Sequence, residues 1–296
     1  GPVHYTVELA APQTQMVEMA IELPPRPGRE TELRLPTWRP GRYAILDPAG
    51  TLREVEAADG HGAALTIEKT DKTTWRVVHA PGDTVRVTYR VFANSIRDRT
   101  RHVDDSHAFL SPSAVFMYCP DLRDEQVVVT VHAPGDWAIA TGLEVDDAGR
   151  VHAPNYDVLV DSPLEIGRHD QLHFEALGLP HEIVVWPAGL DFDRDKLCAD
   201  FAMIVESCAA VFGHVPYERY VFLLHVGAGG GGTEHLNSTI MQTSRAALEQ
   251  CAEGGSAYDR LLGLTAHEFF HTWNVKQLRP AGIHPYDYER ENYTKL

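Results

Sequence analysis

No stretch of this 296-residue chain stays apolar for the roughly 20 residues that a helix needs to cross a bilayer, which excludes a membrane-spanning helix. Basic charge is scarce: 26 Lys and Arg stand against 42 Asp and Glu, a formal net charge of -16. Nucleic acids and anionic membrane surfaces both call for a positive face, so neither is an expected partner. Cysteine is scarce too. The four present, Cys119, Cys198, Cys208 and Cys251, are too few and too scattered for a disulfide framework or a C-x-x-C metal site. Cys198 and Cys208 fall on one predicted helix, nearly three turns apart, and cannot bridge there. No internal repeat or low-complexity segment is present. No signal peptide opens the chain, but Gly1-Pro2 reads as the scar of a cleaved tag. A periplasmic, a secreted and a cytoplasmic bacterial-type protein therefore all remain compatible with the sequence.

What is present is ordinary globular material, 44% hydrophobic and 23% charged, in a chain long enough for two domains. The first part alternates polar and apolar residues, as half-buried strands do: 4–9, 16–23, 74–78, 83–91 and 125–131. Turn signals such as Pro24-Pro25, Pro40-Gly41, Asp59-Gly60 and Pro81-Gly82 separate these runs. Short strands with regular turns predict an antiparallel β-sandwich-like domain over residues 1–169. From residue 170 the pattern mixes strands at 173–174, 181–186 and 219–225 with a helix from about 193 to 212, so the fold class is α+β.

The chemistry concentrates near the end of the chain. His267, Glu268 and His271 form an H-E-x-x-H. On a helix, residues four apart share one face, so both imidazoles reach a single ion. Glu268 then stands beside the site as the general base of a zinc peptidase. A capping box, Ser256 with Asp259, predicts the helix start, and Pro280 predicts its end. The competing reading is a core helix carrying two histidines by chance.

Upstream, Gly227 and Gly229–Gly232 lead into Thr233-Glu234-His235. The run lacks the Gly-Lys-Ser/Thr ending of a P-loop and the spacing of a dinucleotide fingerprint, which argues against phosphate binding. Flexible linkers share this composition. Lying between two apolar strands and next to Glu234, however, the run suits a strand that lets a substrate's backbone approach closely.

Together these segments resemble the M61 peptidases, the glycyl aminopeptidase family of gluzincins. The resemblance rests on Leu35-Pro-Thr-Trp-Arg-Pro-Gly-Arg-Tyr43, Tyr156-Asp-Val-Leu-Val-Asp-Ser-Pro163 and Gly232-Thr-Glu-His-Leu-Asn-Ser238. His267-Glu-Phe-Phe-His-Thr-Trp-Asn-Val-Lys276 and Glu291-Asn-Tyr-Thr294 complete it, in the family's order. It implies a β domain, then the first part of a thermolysin-like catalytic domain over residues 170–296, and a PDZ domain downstream. It also implies Zn2+ as cofactor and peptides as substrates, losing N-terminal residues that are small, such as glycine or alanine. His267 and His271 become zinc ligands, Glu268 the general base, and Glu234 the carboxylate that holds the peptide's free amine.

The family's third ligand, a glutamate in a Glu-Gly-x-Thr-x-Tyr-Tyr segment, is expected beyond Leu296. Within the chain, Glu291 lies 20 residues after His271 and is an alternative, with Glu289 nearby. A metzincin site fails, since Asn274 and Gln277 occupy its glycine and histidine positions. Two other functions remain open: an endopeptidase on the same scaffold, and a catalytically incomplete fragment acting as a binding module.

Overall fold

The computed structural model describes residues 1–42, 45–97, 99–227 and 229–290. The architecture is α+β and divides into two compact units. The first holds Gly1–Ile139, Leu143–Ile166 and the segment from Tyr286; the second holds Ala140–Gly142 and Gly167–Pro285.

The first unit opens with β1 (Val3–Glu8), β2 (Met16–Leu23), β3 (Glu30–Arg34), β4 (Leu52–Asp59) and β5 (Ala64–Lys69). It continues with β6 (Thr74–Val78), β7 (Val85–Phe92), β8 (Asn94–Ser95), β9 (Arg101–Val103) and β10 (His107–Leu110). Then come β11 (Val127–His132), β12 (Ala138–Thr141), β13 (Glu144–Val145), β14 (Val151–Ala153), the short helix α1 (Tyr156–Val160) and β15 (Leu164–Gly167), with the last two residues of β12 and the last of β15 falling in the second unit. One sheet has ten strands in the order β13-β14-β11-β1-β2-β7-β4-β5-β6-β3; another has five, β12-β15-β10-β9-β8. The strand periodicity placed five of these strands, β1, β2, β6, β7 and β11, within a residue or two, and left the others unread. The pairing is mostly antiparallel, but β1 runs parallel to β11, with Val3 opposite Val127. Alternation alone cannot show this, because a half-buried strand reads the same with either neighbour.

Three buried tyrosines organise this unit's core. Tyr5, Tyr89 and Tyr156 donate to the carbonyls of Met117, Val115 and Phe116, at 2.6, 2.7 and 2.8 Å. Each phenol satisfies a buried carbonyl in a segment that no strand pairs, so the burial carries no polar penalty. Trp38 packs edge-on against Tyr286 and donates its indole N–H to Asp287 O at 2.9 Å.

The second unit comprises β16 (Asp170–Ala176), β17 (Leu179–Trp186), α2 (Arg194–Phe212), β18 (Tyr220–Val226), β19 (Gly231–Glu234), β20 (Ser238–Thr243), α3 (Arg245–Glu249) and α4 (Ser256–Phe270). Its sheet runs β16-β17-β18-β20-β19. β17, β18 and β20 are parallel, and β19 returns antiparallel along β20 as the edge strand. The segment from Thr233 to Met241 is thus two strands. The amide of His235 closes the turn onto Ser238 O at 2.9 Å.

α2 forms as its sequence suggests. Asp193 caps it by accepting from Lys196 N at 2.9 Å, and Gly213 ends it in the left-handed region that glycine adopts without penalty. Leu197, Phe201, Val205 and Ala209, spaced by four, form its buried stripe.

α4 corrects two expectations. Ser256 makes no capping hydrogen bond; Gly255 occupies the cap position. The first amides are satisfied from outside, by Gln250 Oε1 accepting from Ala257 N at 2.9 Å and Tyr258 N at 3.3 Å. A Cβ on Gly255 would fall 2.4 Å from that same oxygen, so the cap needs a glycine beside it. The helix also ends at Phe270, well before Pro280. Tertiary contacts divert the chain: the Trp273 indole N–H reaches His214 O at 2.9 Å, and its ring stacks on Phe212 with centroids 4.8 Å apart.

Candidate metal centre

The inner face of α4 is Ala257, Tyr258, Leu261, Thr265, Glu268 and Phe269, all buried. Phe269 anchors it, with ring contacts to Tyr220, Phe222 and Trp273 at 5.0, 5.7 and 5.3 Å. Anchoring one face directs another outward. His267, one position before Glu268, is exposed, and His271 follows at the cap, still in helical conformation, so the fourth-residue relationship survives the early end.

The two rings stand perpendicular, with Nε2 3.2 Å from Nε2. His271 Nδ1 lies 2.9 Å from Asn274 O, which can only accept, so that nitrogen carries the proton and Nε2 the lone pair. Tetrahedral zinc bound at about 2.0–2.1 Å sets its ligands about 3.3 Å apart, and the imidazole pair has that spacing. One ligand atom each from His267, Glu268 and His271 lies within 4.8 Å of the others. The residues fit a zinc-type ion. The early end of α4 is part of the device, since Asn274 O turns back to His271 only because the helix has stopped.

Glu268 is buried and meets the edge strand β19. A Cβ built on Gly232 would fall 2.6 Å from its Cγ, its carboxyl carbon and its Oε1. Only glycine lets the backbone pass this close. Residues two apart on a strand share a face, so Glu234 projects on the Gly232 side. Glu234 is 7% exposed, and among the described residues no hydrogen bond or ion pair engages its carboxylate.

Tyr220, at the start of β18, joins this neighbourhood without any motif to announce it. Burial pushes its phenol well above the ordinary range, and the charges of Tyr217, Glu268 and Glu234 push the same way against a lowering by Thr272. The only signal in the sequence was a tyrosine within an apolar strand. Glu291 lies outside the described residues. Glu289 is engaged within the first unit, pairing with Arg34 at 2.7 Å and accepting from the Tyr118 hydroxyl at 3.0 Å.

Comparison with known proteins gives these residues a context. The "Peptidase M61 N-terminal domain" matches residues 4–168, more than half of the chain, and "M61 glycyl aminopeptidase" matches 260–296. The chain belongs to the M61 peptidase family. A crystal structure of an aminopeptidase N family protein from Idiomarina loihiensis is 30% identical, with a TM-score of 0.92, over 99% of this M61 chain and 51% of that one. This chain thus spans about half the length of that relative. An M1 zinc metallopeptidase from Deinococcus radiodurans shares the fold at 15% identity and a TM-score of 0.51, over 94% of this chain and 64% of its own. No curated protein matches the chain.

Proposed function

We propose that this M61 chain carries the histidine pair, the general base and the amine-recognising carboxylate of a zinc aminopeptidase. Its substrates are peptides that lose a small N-terminal residue, glycine or alanine. Residues 1–169 form its β domain, and residues 170–296 the first part of its catalytic domain. One observation carries the reading: two imidazole nitrogens 3.2 Å apart, next to a buried glutamate that an edge strand crosses at a glycine.

Zinc, when bound by His267 and His271, supplies Lewis acidity to the scissile carbonyl and lowers the pKa of the attacking water. The chain's own residues do the rest. Glu268 takes the proton from that water and passes it to the leaving amine. Its burial under β19 keeps solvent off the carboxylate and fixes its direction. β19 has an edge along which a peptide's backbone can run. Glu234, on the same face as Gly232, pairs with the substrate's ammonium group and so restricts cleavage to the first residue.

The experiment compares glycyl and alanyl anilides with their N-acetylated forms on the complete protein, with zinc measured by elemental analysis. Hydrolysis of the free amines alone, lost together with zinc in His267→Ala and His271→Ala, is the expected result. Cleavage of acetylated peptides at a similar rate would instead make the protein an endopeptidase. Unchanged zinc in both histidine variants would defeat the metal reading.

A further inference from the structure

The first unit carries a second group of metal-type side chains, on the β9–β10 hairpin. Strand alternation sets His102 and Asp104 on one face. Cross-strand pairing adds His107 and Phe109 to it: Phe109 lies opposite His102, and Asp104 N donates to His107 O at 3.0 Å. His102 Nε2 is 3.0 Å from Asp104 Oδ2, and the two imidazole rings are 5.3 Å apart. One ligand atom from each of His102, Asp104 and His107 lies within 4.8 Å of the others.

Two features show these side chains held in place. Asp104 Oδ1 accepts from Ser106 N, Ser106 Oγ and His107 N, at 2.8, 2.6 and 3.1 Å, which pins the carboxylate and turns Oδ2 to His102. His107 and Glu165 are both fully buried, with Nδ1 2.5 Å from Oε1. A carboxylate only accepts, so Nδ1 holds the proton and Nε2 the lone pair, as in the carboxylate–histidine pairs that orient metal ligands.

We propose that His102, Asp104 and His107 form a second metal site for a zinc-type divalent ion, with Glu165 orienting His107 and the ion stapling the hairpin. Two imidazoles with one carboxylate suit borderline transition ions; calcium and magnesium favour all-oxygen sets. His102 Nε2 and Asp104 Oδ2, 3.0 Å apart, share a proton in the metal-free protein, and an ion ligated by both takes that proton's place. The widest separation in the group has to close by at most about 1.5 Å. The site is independent of the H-E-x-x-H pair and stands whether or not that pair binds zinc.

The test uses the complete protein with His267→Ala and His271→Ala combined, stripped by chelation and dialysed against zinc alone. One zinc per chain should remain at low micromolar zinc and raise Tm by several degrees. Adding His102→Gln should weaken this binding at least tenfold and abolish the Tm shift. Asp104→Asn, which retains a turn-capping oxygen, should do the same with an unchanged circular dichroism spectrum. Absence of bound zinc in the double variant would overturn the proposal. So would undiminished binding in the folded Asp104→Asn protein, which would place the ion elsewhere.

Discussion

Gly232 and Glu268 touch across the edge of the second unit's sheet, so closely that one carbon more on Gly232 would fall 2.6 Å from the glutamate's carboxyl carbon. The glycine is therefore a determinant of where the proposed base points. Gly232→Ala should displace the flexible carboxylate rather than the helix backbone, because the atoms it meets are the far end of the side chain. Displacement of about 1 Å at a reacting group lowers rate by up to a hundredfold, so a ten- to hundredfold fall in kcat/KM is expected. Zinc content and Tm should hardly change. Wild-type activity in this variant would show that the carboxylate's position is not set by the strand.

Glu268→Gln should retain zinc while losing two to four orders of magnitude in peptide hydrolysis, since the amide cannot take the water's proton. Elemental analysis beside the activity assay checks both halves. Loss of zinc in this variant would make Glu268 a ligand or a structural support.

Glu234→Ala tests how the site tells an N-terminus from an internal peptide. A charge-assisted hydrogen bond to a substrate ammonium contributes roughly 1.5–3 kcal/mol, about ten- to a hundredfold in kcat/KM. Free-amine substrates should lose at least tenfold. Any acylated peptide that is still cut should lose little. Equal losses on both would mean that Glu234 shapes the site without reading the amine.

Gln250→Ala removes the acceptor of two amides at the start of α4. Loss of a cap of this kind destabilises by about 1 kcal/mol, a fall of roughly 2–4 °C in Tm for a chain of this size. Ser256→Ala, by contrast, should leave Tm unchanged, because its side chain makes no capping bond. Calorimetry on the two variants decides between them, and the opposite order would restore the capping box read from the sequence.

The contrast between Ser256 and Gln250 shows where local pattern stops being sufficient. A capping box is recognised from residues three apart, but the helix takes its cap from a side chain seven and eight residues before the amides it binds, brought there by the turn after α3. The end of α4 went unread for a related reason. Nothing between His271 and Pro280 forbids a helix by propensity, yet the indole of Trp273 finds its partners at His214 and Phe212. Propensity is worth tenths of a kcal/mol per residue, and the burial of one tryptophan outweighs it.

By itself, the sequence determined the most periodic elements: β1, β2, β6, β7 and β11 of the first unit, α2, and the four-residue spacing that puts His267 and His271 on one helix face. These follow from repeats of two and of 3.6 residues, which neighbours along the chain enforce. Only the tertiary structure decided which strand lies at the edge of the second sheet, that Gly232 crosses Glu268, and that the Tyr220 phenol comes under the charges of Glu234 and Glu268. Those relations join residues 14 to 48 positions apart in the chain. Their spacing carries no period; the packing of α4 against the sheet sets them, with side-chain volume deciding what fits.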